Sequence, residues 1–138
     1  MIGRTWPGWL LAFVGVVVAP LPAQERPPPL VELRENYPNP FFPATTIPFS
    51  LSPELCERGH QPLVSLKVYN VLAQVVAIPV LLGAAPVSLN AVPLECGSYE
   101  AWWDGRVVNS KRQLTPGVYY AQLIVDSERH TLKMIARP

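Results

Sequence analysis

The chain has 138 residues, room for one domain, with 11 Lys and Arg against 10 Asp and Glu and a formal net charge of +1. A near-neutral balance argues against the clustered positive face that nucleic-acid phosphates demand, and the lack of any Lys/Arg run leaves an anionic membrane patch equally unsupported. Two cysteines and two histidines supply too few ligands for a ready metal site, and no cofactor is expected.

Residues 1–23 read as a signal peptide. Arg4 marks a short n-region, an apolar run extends from Trp9 to Ala19, and Pro20 and Pro22 break the helix before the small residue Ala23. The run falls short of the roughly 20 residues needed to span a bilayer. Cleavage after Ala23 would remove Arg4 and leave a formally neutral chain. Residues 24–35 contain Pro27-Pro28-Pro29 and read as an extended linker. Residues 36–138 form the expected domain.

Within it prolines recur at short intervals, no stretch carries a helical stripe, and period-two alternation appears repeatedly. In Thr46–Ser52, Ile47, Phe49 and Leu51 share a face, and Pro48, with no N–H to give, predicts an edge position or a bulge. Leu63–Asn70 sets Val64, Leu66 and Val68 inward, and Gln74–Leu82 follows after a short turn as its hairpin partner. Val87–Val92 is a weaker strand. Ser98–Asp104 places Tyr99, Ala101 and Trp103 on one side and Glu100 and Trp102 on the other. Val118–Asp126 directs Tyr119, Ala121, Leu123 and Val125 one way, and Arg129–Ala136 returns with Leu132 and Met134 inward and Lys133 outward. About seven short strands divided by turn chemistry predict an all-β, immunoglobulin-like antiparallel β-sandwich.

Cys56 and Cys96 are a candidate disulfide, with two free thiols as the alternative. No nucleophile, base or triad pattern surrounds His60 or His130, so no catalytic residue is expected. Asp104 beside Gly105 reads as a turn-capping residue rather than a calcium ligand. Trp102 is a candidate partner-binding residue, because an outward Trp anchors proteins or sugar rings. Its plainer alternative is packing on its own sheet beside Tyr120. Lys133, outward on the last strand, is the second candidate.

Turn residues carry the rest. Thr115-Pro116-Gly117-Val118 predicts a type II turn, and Tyr119 beyond it stands where sandwich folds keep a tyrosine bonded back to upstream backbone. Asn36-Tyr37-Pro38-Asn39-Pro40-Phe41 with Thr45-Thr46-Ile47, then Val64–Asn70, Gly97-Ser98-Tyr99 with Trp103-Asp104-Gly105-Arg106, Gly117-Val118-Tyr119-Tyr120, and finally Lys133-Met134-Ile135 form five ordered blocks. Together they resemble the C-terminal sorting domains of bacterial type IX secretion cargo, an immunoglobulin-like module similar to one in the flagellar hook-capping protein. Ala73 departs from the family's turn glycine, which predicts a different hairpin turn there. Phe42 and Asn109-Ser110 are further departures. Family members usually follow a large passenger, whereas here only residues 24–35 separate the expected cleavage site from the domain.

The resemblance implies a non-catalytic targeting module, exported through the periplasm to the cell surface or beyond. Its partners would be outer-membrane secretion proteins, with no nucleic acid, no small-molecule substrate, and membrane contact only through surface attachment. The alternative is a free-standing structural or adhesive surface module.

Overall fold

The computed structural model describes residues 3, 12–20 and 27–138. The expected cleavage site after Ala23 and most of the leader lie outside the described residues. Residues 12–20 carry neither strand nor helix, and no helix among the described residues is long and apolar enough to cross a membrane.

Among the described residues ten strands form two antiparallel sheets: β1 (Val31–Leu33), β2 (Thr45–Leu51), β3 (Leu63–Tyr69), β4 (Val75–Ala77), β5 (Val80–Leu81), β6 (Val87–Ser88), β7 (Val92–Pro93), β8 (Gly97–Trp103), β9 (Gly117–Val125) and β10 (Glu128–Ala136). The first sheet runs β1-β2-β8-β5-β6, and the second runs β10-β9-β3-β4 with β7 also beside β3. The long strands match the sequence alternation residue for residue. Ile47, Phe49 and Leu51 of β2 and Ala101 and Trp103 of β8 are buried against Val64, Leu66 and Val68 of β3, Tyr119, Ala121, Leu123 and Val125 of β9, and Met134 of β10. The fold is an all-β antiparallel sandwich, because each long strand has one apolar face that only the opposing sheet can cover.

Four expectations change. The stretch read as linker contributes β1, whose Val31 is buried and pairs opposite Leu51. The alternation there is only three residues long, too short to separate from the prolines before it. Pro48 is not in an edge strand, since β2 lies between β1 and β8. Its carbonyl accepts from Arg34 N–H at 2.9 Å. A residue's nitrogen and carbonyl point to the same side of a strand, so the missing donor falls just past the end of β1, where no ladder needs it. Gln74–Leu82 is not one strand: β4 pairs with β3 in the second sheet, and beyond Pro79 β5 pairs with β8 in the first. Val87–Val92 divides in the same way, with buried Leu89 between β6 and β7. Pro79, which has no N–H to donate to a ladder, marks the first of these two crossings.

Two glycine-type positions show how tightly turns are specified. Between β3 and β4, Asn70 O accepts from Ala73 N–H at 3.0 Å, and Ala73 takes φ +59°, the left-handed conformation in which an alanine sits poorly. Asn70 Oδ1 accepts from the N–H groups of Leu72 and Gln74, both at 3.0 Å, which holds the alanine in its left-handed conformation. Gly105, at φ +84°, has no such latitude, because an added Cβ would sit 2.0 Å from the carbonyl oxygen of Pro43. Opposite outcomes follow in denaturant unfolding. Ala73→Gly should stabilise by about 0.5–1 kcal/mol, relief of the left-handed strain exceeding the added unfolded-state entropy. Gly105→Ala should destabilise by about 3 kcal/mol or more. A stabilising Gly105→Ala or a destabilising Ala73→Gly would contradict this reading of the turns.

Candidate functional site

Four of the five sequence blocks place residues at one end of the sandwich: the opening block, Trp103–Arg106, Gly117–Tyr120 and Lys133–Ile135. The segment between β1 and β2 first pairs with the first sheet, Tyr37 and Thr46 exchanging backbone hydrogen bonds at 2.9 Å in both directions. It then reaches the second: Phe41 N–H donates to Ile135 O and Phe41 O accepts from Arg137 N–H, each at 2.9 Å. Asn36 is buried beneath this strap, its Nδ2 donating to Thr45 Oγ1 at 3.0 Å and to Pro38 O at 3.3 Å. Phe41 is fully buried, its ring 5.6 Å from Trp103, which lies edge-on to Tyr119 at 5.6 Å.

Each turn residue has a partner here. Trp103 Nε1 donates to Arg106 O at 3.0 Å, and Asp104 Oδ1 accepts from Arg106 N–H at 2.9 Å, so Asp104 caps its turn. Tyr119 Oη donates to Thr115 O at 2.6 Å, the backward bond expected of a corner tyrosine. That bond occupies the carbonyl a type II turn would have used, and no Val118 N–H bond to Thr115 O forms, so the expected turn is replaced by a bend. Gly117 still needs its glycine, at φ +145°.

At the other end a 3-10 segment, Pro53–Gly59, is fastened twice. Cys56 is disulfide-bonded to Cys96, just before β8, across a separation of 40 residues. Closing a loop of that length contributes about 4 kcal/mol in the chain-entropy account. His60 Nε2 lies 2.7 Å from Asp126 Oδ2, and Asp126 Oδ1 accepts from Leu63 N–H at 2.9 Å. Cys56 and His60 line one shallow depression, but Cys56 carries no thiol there. Among the described residues no three His, Cys, Asp or Glu side chains gather as a metal site requires.

The two candidate binding residues do not form one site. Trp102 projects from the outer face of the first sheet, 39% exposed, between Thr46 of β2 and Val80 of β5. Near it Tyr37 donates to Glu100 Oε1 at 2.5 Å, and that bond raises the phenol pKa above its ordinary value. Tyr120 lies on the outer face of the opposite sheet, so it is not the packing neighbour expected for Trp102. Tyr120 instead stands between Tyr69 of β3 and Lys133 of β10. The next rows of that face are Lys67–Gln122–Thr131 and Ser65–Ile124–Arg129. Three cations and two tyrosines therefore share a face with no carboxylate among these positions, and none of the three cations is in an ion pair among the described residues. Tyr69, Tyr120, Gln122, Arg129 and Thr131 line a depression there. Lys67, Arg129 and the His60–Asp126 pair were not singled out from sequence. The outward register of Lys67 was legible, but its neighbours depend on strand order.

Compared with known proteins, the chain matches no family model and no curated protein.

The His60 hydrogen bond, followed by the Leu63 N–H, holds the Asp126 carboxyl below its ordinary value of 3.8. A depressed carboxylate contributes stability that is fully present above its unfolded value and is lost as pH falls through the folded one. Asp126→Asn should therefore be less stable than the parent at neutral pH, by under about 1 kcal/mol for so exposed a pair. The gap should shrink as pH falls below 3.8. Unfolding midpoints taken across that range check it, and a gap that widens in acid would contradict it.

Proposed function

We propose that this chain is a non-catalytic sorting and targeting module, recognised by the type IX secretion apparatus for export and attachment at the cell surface. The observation that supports this reading is the contact between the first and last of the five ordered blocks. Ile135 N–H donates to Asn39 Oδ1 at 3.3 Å, and Phe41 bonds the backbone on either side of Ala136. The strap holds the end of the C-terminal strand in one shape from within the module, as recognition of a folded surface would require. The reading carries with it the exported location and the outer-membrane partners that the resemblance implies, and it asks for no cofactor.

A second reading, a structural or adhesive surface module, is favoured by Trp102 and Tyr37. Both are large aromatic side chains left substantially exposed on the outer face of the first sheet. A flat aromatic surface of this kind suits a protein or sugar partner without any secretion role.

A reporter joined ahead of residues 24–138 and led by an export signal separates the two. In a type IX-competent host the fusion should reach the cell surface, and in the same host lacking the apparatus it should remain in the periplasm. Removing Leu132–Pro138 takes away Met134 and the strand that anchors Phe41, so that fusion should stay periplasmic in both. An intact, protease-resistant fusion that remains in the periplasm of the competent host would overturn the sorting reading.

A further inference from the structure

A sandwich ends in four sheet edges, and natural sheets keep such edges short or covered because unpaired backbone groups recruit other strands. Here β1, β4, β6 and β7 are two or three residues long, whereas β10, also an edge, has nine. The direction of its free groups is fixed. Ile135 turns its N–H and carbonyl away from β9, toward Asn39 and Phe41. In a pleated strand every second residue shares that direction, so Arg129, Thr131 and Lys133 also point theirs outward. None of those six groups has a hydrogen-bond partner among the described residues. The neighbouring β1 approaches β10 but pairs only with β2. The strap already shows what the edge accepts, since Phe41 pairs beside Ala136 as a one-residue parallel strand.

The side chains say which strand would extend it. Arg129, Thr131 and Lys133 are exposed on the outer face, backed by Lys67. On the inner face His130 and Leu132 are only half-buried, because no strand lies beyond them. An added strand would place alternate residues opposite each set. Arg129 and Lys133 are about 13 Å apart along the strand, the spacing of carboxylates four residues apart in an extended peptide. Cations on an edge repel a second copy carrying the same charges, but they attract an acidic strand.

We propose that the open edge of β10 is a docking site for an extended acidic segment of a partner protein, in which carboxylates facing Arg129 and Lys133 alternate with apolar residues covering His130 and Leu132. Main-chain bonds to residues 129, 131 and 133 supply the affinity, and the charge pattern supplies the choice of partner. The site stands whether or not the chain is a sorting module, since it rests only on the edge and its charges.

The test uses the full chain and two short end-blocked peptides, one alternating Glu with Val and the other Lys with Val. Amide exchange at Arg129, Thr131 and Lys133 should be fast in the free chain, slow with the Glu peptide and stay fast with the Lys peptide. Binding should weaken as salt rises. Thr131→Pro removes one outward N–H that no fold contact uses, so it should keep its unfolding midpoint and lose the peptide. Arg129→Glu combined with Lys133→Glu should reverse the preference between peptides by about tenfold; this second variant tests the site even if Thr131→Pro does not fold. The proposal is overturned by exchange already slow in the free chain, which would mean that the chain's own residues cover the edge. It is equally overturned by concentration-dependent dimerisation through β10, by equal response to both peptides, or by undiminished binding to a folded Thr131→Pro protein.

Discussion

Phe41 is fully buried yet belongs to neither long ladder. Its backbone bonds to the edge of the second sheet while Tyr37, four residues earlier, bonds to the first. Its ring meets Trp103 from the first sheet, which in turn meets Tyr119 from the second. Across their packed faces the two sheets meet by non-directional apolar contact, which by itself tolerates sliding. Hydrogen bonds from one short strap to both sheets remove that freedom, because each has a preferred distance and angle. The aromatic chain is then confined between them. The Trp103–Gly105 turn, with Pro43 packed against Gly105, follows from the same closure.

Much of this was legible in sequence because burial on one face of a strand imposes period two. Ile47, Phe49, Leu66, Val68, Trp103, Tyr119, Leu123 and Met134 all lie on the side their spacing indicated. Where alternation is short the reading failed. Strand β1 is too brief to display a period, and Gln74–Leu82 looks continuous although its two halves serve different sheets. A residue's face is local information, whereas which strand lies beside it is not. For that reason Trp102 and Lys133 were each correctly read as outward, while their placement on opposite faces had to come from the topology. The Ala73 turn depends on a neighbour as well: the left-handed cost is real, but Asn70 makes enough local bonds to carry it.

The molecule thus presents two unlike outer surfaces held by one rigid frame. The first sheet offers Trp102 and Tyr37 beside Glu100, and the second offers Tyr69 and Tyr120 among Lys67, Arg129 and Lys133. A targeting module and an adhesive module would use such surfaces differently, but both need the frame to hold them apart. The disulfide and the His60–Asp126 contact secure the far end, away from the strap.

The strap couples the two sheets rather than merely covering them. Native-state hydrogen exchange on Phe41→Leu tests it directly, since that change trims the ring while keeping an apolar side chain. The amides of Thr46 in the first sheet and of Ile135 and Arg137 beside the second should lose protection together, by the same free energy of about 1 kcal/mol. Loss confined to Ile135 and Arg137, with Thr46 as protected as in the parent, would contradict it.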